Sequence, residues 1–559
     1  MTRTVTIICL CLCTSCDQAP SEPAPSWILR DVTERYGLQH HATCGAPIPT
    51  QIVEVNGPGV TLFHADEDDD LDLLVIDGAT LESPHHGPGV RLYLNQQNET
   101  GNVSFRDGTE HAGINLRAWG TSATAFDLEG DGDDDLYITC IGADRLLRNE
   151  GDGRFTDITL QSGIDVDGWS TGAAPGDLDG DGDLDLYVTR YVAWNFDAPP
   201  VPPTPFRGED VIAGPTGLPA QSDRLLLNQG DGTFEDVSSS SGLNDITASY
   251  GLNAIIIDLE RDGQPEILVG NDGMSNQLLV IESIVPLQVR DVGHERGFAT
   301  NMSGAAQATM GMAIGDVDGN GTPDVFTSNF SSDTNTLLIS ESGFFADRTN
   351  AMAIGAPSRT SLGWTSRFID FDADGDEDLI ILNGHVYPNA TVDSMNSTWK
   401  QVPLIMSREQ HRFTPQKTQN RSWASTPNEH RAAAFGDLDD DGDLDFVVAP
   451  RWGAIQIVEN NVAQDKCLLV SLYDDRIDSM NPRGLGAHIT LSGPQGLQHR
   501  WMLPTSDFQG CSAAEIQFAT PLKPNDALVV RWPDGIRTSH LVPQNGHVEC
   551  RFSDGRRLD

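Results

Sequence analysis

Positive charge is scarce in this chain. Its 35 Lys and Arg face 82 Asp and Glu, giving a formal net charge of -47 and a pI near 4.3. That balance excludes nucleic acid and anionic membrane surfaces as natural partners. Beyond the N-terminal leader no apolar run approaches the length of a membrane-spanning helix. No CxxC pair, no Cys/His metal spacing, no H-E-x-x-H and no phosphate-cradling glycine loop is present. RGED at 207–210 is not an RGD tripeptide. Long helices are excluded as well, because 55 Gly and 32 Pro interrupt the sequence too often. Disorder does not fit either, since 38% of the residues are hydrophobic and the acids are clustered. Short Val/Ile/Leu/Tyr runs between Gly/Asp/Asn turns remain, and they read as an all-β protein. At 559 residues it needs several domains or a repeat.

The first residues, MTRTVTIICLCLCTSC, pair one basic residue, Arg3, with an apolar stretch from Val5 to Cys13. This pattern predicts an export signal. The small residues before Cys16 resemble a bacterial lipoprotein signal, which implies lipidation of Cys16, with plain secretion as the alternative. Residues 17–26 form a Pro/Ser-rich tether. The expected setting is the cell envelope, facing periplasm or cell surface, or the medium. Membrane contact would be limited to the lipid anchor.

What the chain has in excess is a spaced acidic loop. GDLDGDGDLDLYV at 176–188 fits D-x-D-x-D-G-x-x-D, with Asp177, Asp179, Asp181, Gly182 and Asp185 at positions 1, 3, 5, 6 and 9. Five further loops align: Asp127, Glu129, Asp131, Asp135; Asp258, Glu260, Asp262, Glu266; Asp316, Asp318, Asn320, Asp324; Asp370, Asp372, Asp374, Asp378; and Asp437, Asp439, Asp441, Asp445. A less regular first copy holds Asp66, Asp68 and Asp72, with His64 at position 1 and Asp69 in place of Gly. Carboxylates at these positions can converge on one point, and the residue-7 carbonyl can add another oxygen. A hard cation such as Ca²⁺ takes about six to eight such ligands, whereas Mg²⁺ demands a stricter octahedron. Up to seven calcium sites are therefore expected, the first being imperfect. Ligation should hold the folded-state carboxylate pKa values low. The plainer alternative is a set of solvated acidic turns.

The loops recur roughly 50–80 residues apart. A second element lies between them, as in LLRNEGDGRFTDITLQSGI at 146–164 and LLLNQGDGTFEDVSSSSGL at 225–243. Each repeat thus reads as four strands, and seven such repeats predict a seven-bladed β-propeller over 27–462. The last repeat lacks its final strand, and the orphan WILRDVTERYGL at 27–38 is suited to supply it. Two stretches break the repeat, at 194–224 and 384–431. Residues 463–559 read as a small β-sandwich-like domain. Cys467 and Cys550 lie in its first and last strands, and we expect them to pair, with Cys511 the leading candidate for a free thiol among Cys44, Cys140 and Cys511.

The loops and N-x-G-x-G-x-F-x-D elements resemble FG-GAP/VCBS repeats, as in integrin α-subunit propellers. NPRGLGAHITL at 481–491 and the WPDG turn resemble the ASPIC/UnbV domain. Together they are similar to bacterial relatives of cartilage acidic protein. The resemblance implies that the calcium loops line one face of the ring and leave the other for ligand.

No catalytic residue is assigned. GWSTG at 168–172 matches G-x-S-x-G but leads into a strand rather than a helix, so Ser170 is not read as a nucleophile. His40–His41, His85–His86, His385 and His488 read as ordinary polar residues. The expected role is a non-catalytic binding or adhesion protein for a protein or glycan ligand, acting as a monomer. The alternatives are a polysaccharide-active enzyme or a purely structural surface protein.

Overall fold

The computed structural model describes residues 28–558 except 69, 200–203, 417–421, 462–465, 495, 506, 521–526, 542 and 544–545. The export signal, Cys16, the tether and Asp69 lie outside the described residues. The rest is nearly all-β. Among the described residues, strand pairing gives seven four-stranded antiparallel units, two small two-stranded sheets, and two further sheets at the C-terminal end.

The second unit shows the plan: Trp119–Phe126, Asp135–Ala143, Arg145–Asn149 and Phe155–Asp157 pair in sequence order. In every unit the acidic loop joins the first strand to the second, and its position-9 acid is the first residue of the second strand. The seventh unit has three strands of its own, His430–Gly436, Asp445–Pro450 and Gln456–Glu459. Arg30–Asp31 supplies the fourth, Arg30 opposite Glu459. The orphan N-terminal strand therefore joins the two ends of the propeller.

The innermost strands are rich in Gly, Ala, Ser and Thr because they crowd together, and hydroxyl groups link them from unit to unit. Thr61 donates to the Ala123 carbonyl, Thr121 to Ser170, Thr171 to Gly251 and Thr365 to Arg431, at 2.7–3.0 Å. Ser170 belongs to such a strand, Asp167–Gly176, and is fully buried, so it forms no exposed nucleophile elbow. A second set of links runs round the loop face. The Asn149 side chain donates to the Ala65 carbonyl of the preceding unit, Asn228 to Leu128, and Asn95 to Leu438 across the closure. In the sixth unit Arg408 does the same, donating to the Val317 carbonyl at 2.7 Å. Asn149 and Asn228, which open N-x-G turns, are thus inter-unit staples as well as turn residues.

The C-terminal part is a sandwich. One sheet contains Cys467–Tyr473, Glu515–Ala519 and Gly546–Arg551. The other contains His488–Gly493, Gly496–Trp501, Ala527–Arg531, Arg537–Leu541 and Arg556–Leu558. Leu468, Ile489, Phe518, Val530 and Trp532 fill the space between them, all fully buried. The expected Cys467–Cys550 pairing is corrected here. Their strands are neighbours, but Cys550 lies opposite Leu472, five residues along from Cys467. That offset is roughly 17 Å at about 3.3 Å per residue and places the two side chains on opposite faces. Cys44, Cys140, Cys467, Cys511 and Cys550 are all free and buried.

The C-terminal domain also reaches into the propeller. Gly510–Cys511 pairs in parallel with Val60–Thr61. Phe508 is fully buried with its ring 4.8 Å from that of Trp364, and Asp507 accepts hydrogen bonds from Arg367 at 3.0 Å and Ser512 at 2.6 Å. A Cβ at Gly510 would sit 1.9 Å from the Ala433 carbonyl oxygen, so only glycine fits. Residues 507–512 therefore form a peg among the inner strands of the first, sixth and seventh units. Phe508→Ala should cost about 3–5 kcal/mol by leaving a cavity. Leu160→Ala, at a residue 92% exposed, should change stability by less than about 0.5 kcal/mol. Equal denaturant midpoints for the two variants would contradict this packing.

Candidate metal centres

Each acidic loop is organised by its own carboxylates before any ion is considered. The position-1 acid accepts backbone N–H groups from across the turn, as Asp127 does from Gly130 and Gly132 at 2.7 Å and Asp437 from Gly442 at 2.8 Å. The position-6 glycines, Gly132, Gly182, Gly263, Gly321, Gly375 and Gly442, all have φ between +77° and +99°, a region that strains residues with a Cβ. Position 5 closes an Asx turn, with Asp181 accepting from Asp183 N–H at 3.2 Å and Asp374 from Asp376 at 2.8 Å. Position 9 ties the loop to the sheet. Asp185 accepts from Leu178 N–H at 2.8 Å and Asn228 N–H at 2.9 Å, and Asp135 repeats this with Leu128 and Asn149.

Five groups bring three carboxylates to within 4.8 Å of one another: Asp177, Asp179, Asp185; Asp316, Asp318, Asp324; Asp370, Asp372, Asp374; Asp437, Asp439, Asp445; and Asp68, Asp70, Glu99. The third, fifth and seventh units use positions 1, 3 and 9, and the sixth uses 1, 3 and 5. Asn320 is turned inward to its own loop, accepting from Thr322 N–H and donating to the Ser340 carbonyl. In the first unit Asp68 is joined by Asp70 and Glu99 rather than by Asp66 and Asp72. Asp72 instead accepts from Ala65 and Asn95 N–H groups. The NQQNET insertion supplies Glu99, and nothing in the loop pattern points to it.

The fourth loop departs from expectation for a different reason. Arg296 lies 3.0 Å from Glu260 and 3.3 Å from Glu266, and Arg531 of the C-terminal domain lies 2.9 Å from Asp258. Three of its four expected ligands are thus already paired with two guanidinium groups, with Asp262 left as the Asx-turn residue. In the second loop Glu129 lies 3.8 Å from Arg148, and Asp127, Glu129, Asp131 and Asp135 form no such three-acid group among the described residues. Arg483 pairs with Asp134 at 3.3 Å and Arg500 with Glu377 at 3.0 Å. The C-terminal domain therefore rests on the loop face.

The remaining groups fit a hard cation. Their donors are all carboxylate oxygens, and Asp316 Oδ1, Asp372 Oδ1 and Asp439 Oδ1 are buried without a hydrogen-bond partner. Such an oxygen is costly unless something positive meets it. Burial, reinforced by neighbouring carboxylates, pushes Asp177 up to about 6, Asp370 to about 7, Asp324 to about 8, and Asp185 and Asp437 to about 9. Asp445 is pushed well above the ordinary range for the same reason. The low values expected from ligation are therefore not intrinsic to the loops. They require the ion.

A carboxylate raised on folding stabilises most below its unfolded pKa of about 4, and that contribution is lost as pH rises through its folded value. The chelated protein should therefore melt at progressively lower temperature as pH rises from about 5 to 9, spanning the values near 6 to 9 above. Any hard cation held by these groups should lose affinity as pH falls through the same window. Parallel pH profiles with and without chelator would contradict both halves.

Comparison with known proteins agrees with this architecture. Residues 127–188 and 316–381 match the FG-GAP-like repeat model, and 478–553 match the ASPIC and UnbV model. Cartilage acidic protein 1 of Xenopus tropicalis is 26% identical over 195 residues, a match spanning 32% of this chain and 29% of that protein. Among solved structures, an Agrocybe aegerita lectin described by its recognition of non-reducing terminal N-acetylglucosamine aligns at 16% identity with a TM-score of 0.39, over 67% of this chain and 82% of that one. BBS1N in complex with ARL6DN aligns at 10% identity with a TM-score of 0.37, over 78% and 97%. At those scores no ligand is carried over from either structure. The chain carries FG-GAP-like repeats in a propeller-type fold and a C-terminal ASPIC and UnbV domain, and is a distant relative of cartilage acidic protein 1.

Proposed function

We infer that this is an exported, calcium-stabilised propeller that acts as a non-catalytic binding protein for a protein or glycan ligand. The observation that carries the calcium reading is the repetition of three carboxylates within 4.8 Å, with buried oxygens left unpartnered at Asp316, Asp372 and Asp439. Calcium bound there would neutralise the converging carboxylates and lock each loop against its second strand. Asp177, Asp179 and Asp185 would hold it in the third unit, and their counterparts in the first, fifth, sixth and seventh.

The binding reading is supported by the end of the propeller opposite the loops. Insertions after the second strands of the third and sixth units bring Trp194, Phe196, Phe206 and Tyr387 over the strand ends, where they pack with Trp119, Trp169 and Trp364. Rigid scaffolds commonly present recognition residues on such loops. Lipidation at Cys16 completes the proposal and would tether the propeller to the envelope.

Chelation should lower the melting temperature sharply at neutral pH. One site at hundredfold calcium excess over its Kd contributes about 2.7 kcal/mol, and several sites add up against a typical net stability of about 5–15 kcal/mol. Mg²⁺ should restore little. Identical calorimetric transitions with and without chelator would reduce the loops to solvated turns. A glycan array and an extracellular-protein pull-down, each run with and without calcium, test the binding role. Cys16→Ser should abolish incorporation of labelled fatty acid, and retained label would refute the anchor.

A further inference from the structure

Opposite the acidic loops, where the inner strands begin and the second strands end, the two insertions cover a cavity of about 90 Å³. Tyr191, Phe330, Trp364 and Tyr387 contribute rings to its wall, with Phe330 and Tyr387 centroids 5.8 Å apart. Asp272, in the second strand of the fourth unit, is the acid in that wall. It is partly exposed, and one carboxylate oxygen accepts the Tyr191 hydroxyl at 2.5 Å. Among the described residues no Lys or Arg pairs with it. Asn56 also lines the cavity, and its Nδ2 is buried without a hydrogen-bond partner. Of the nearby cations, Arg431 stacks on Trp364 at 4.1 Å and spends its hydrogen bonds on the Val55, Gly384, His430 and His385 carbonyls. Arg207 lies over Phe206, with its guanidinium 5.5 Å from that ring.

A carboxylate set among aromatic faces suits one class of ligand. The rings attract a cation through their quadrupoles, and a poorly hydrated alkylammonium loses little on leaving water. The carboxylate supplies the counter-charge, and the net charge of -47 draws cations toward the protein. The unpartnered Asn56 amide offers a donor to an oxygen on the same molecule. We propose that this cavity is a binding site for a small alkylammonium group carrying a neighbouring oxygen, of choline-like chemistry, either free or at the end of a methylated lysine side chain. The site is independent of the acidic loops and of the calcium reading.

The test uses the whole chain with calcium present, titrated by calorimetry and tryptophan fluorescence. The probes are choline, its neutral carbon isostere 3,3-dimethylbutan-1-ol, and a trimethyl-lysine peptide. Choline or the peptide should bind saturably with a Kd below about 1 mM, and which of them binds more tightly identifies the source. The neutral isostere should bind at least about tenfold more weakly, the effect of losing one charged contact. Asp272→Asn should weaken the cation by a similar factor while keeping an oxygen to accept the Tyr191 hydroxyl. Phe330→Ala, at a partly exposed ring, should also weaken it, and serves if the Asn variant fails to fold. No saturable binding of either cation up to about 10 mM, equal binding of the isostere, or unchanged affinity in folded variants would overturn the assignment.

Discussion

Carboxylates gathered along one face of a ring repel one another, and burial sharpens the repulsion because little water remains to screen them. Positive charge must therefore be brought to that face. In the fourth unit it is built in, with Arg296 between Glu260 and Glu266 and Arg531 against Asp258. In the first, third, fifth, sixth and seventh units the acids converge without such partners, and in the fifth, sixth and seventh a buried carboxylate oxygen is left over. Those are the places where an ion from solution would complete the structure.

This requirement also accounts for the position of the C-terminal domain. Arg483 comes from the NPRGLGA stretch, and Arg531 immediately precedes the WPDG turn. Both project onto acidic loops, at Asp134 and Asp258. Between them the domain inserts its peg, where Gly510 admits close approach and Phe508 fills space beside Trp364. Ring closure, loop neutralisation and domain docking are thus parts of one arrangement. The opposite end carries the two insertions.

Much of this was legible in the sequence. The loop period and the Gly at position 6 mark the strand-loop-strand plan, and the orphan 27–38 stretch marks the closing strand, because both are local chemistry. The staples were not legible. Asn149 and Asn228 look like turn residues, and only the curvature of the ring places the preceding unit's carbonyl within their reach. Nor was the selection among acidic loops. Arg296 and Arg531 are distant in sequence from the acids they neutralise, and Glu99 reaches the first loop from an insertion. The Cys467–Cys550 expectation failed on register, since adjacency of two strands does not fix which residues face each other.

The central claim is that built-in arginines and solution calcium substitute for one another, loop by loop. Native mass spectrometry of the calcium-saturated protein tests it directly, by counting ions in the wild type, in Asp179→Asn and in Glu260→Gln. The account predicts several ions on the wild type, one fewer on Asp179→Asn, and an unchanged count on Glu260→Gln because Arg296 already serves that loop. An ion lost from Glu260→Gln, or none bound to the wild type, would contradict it.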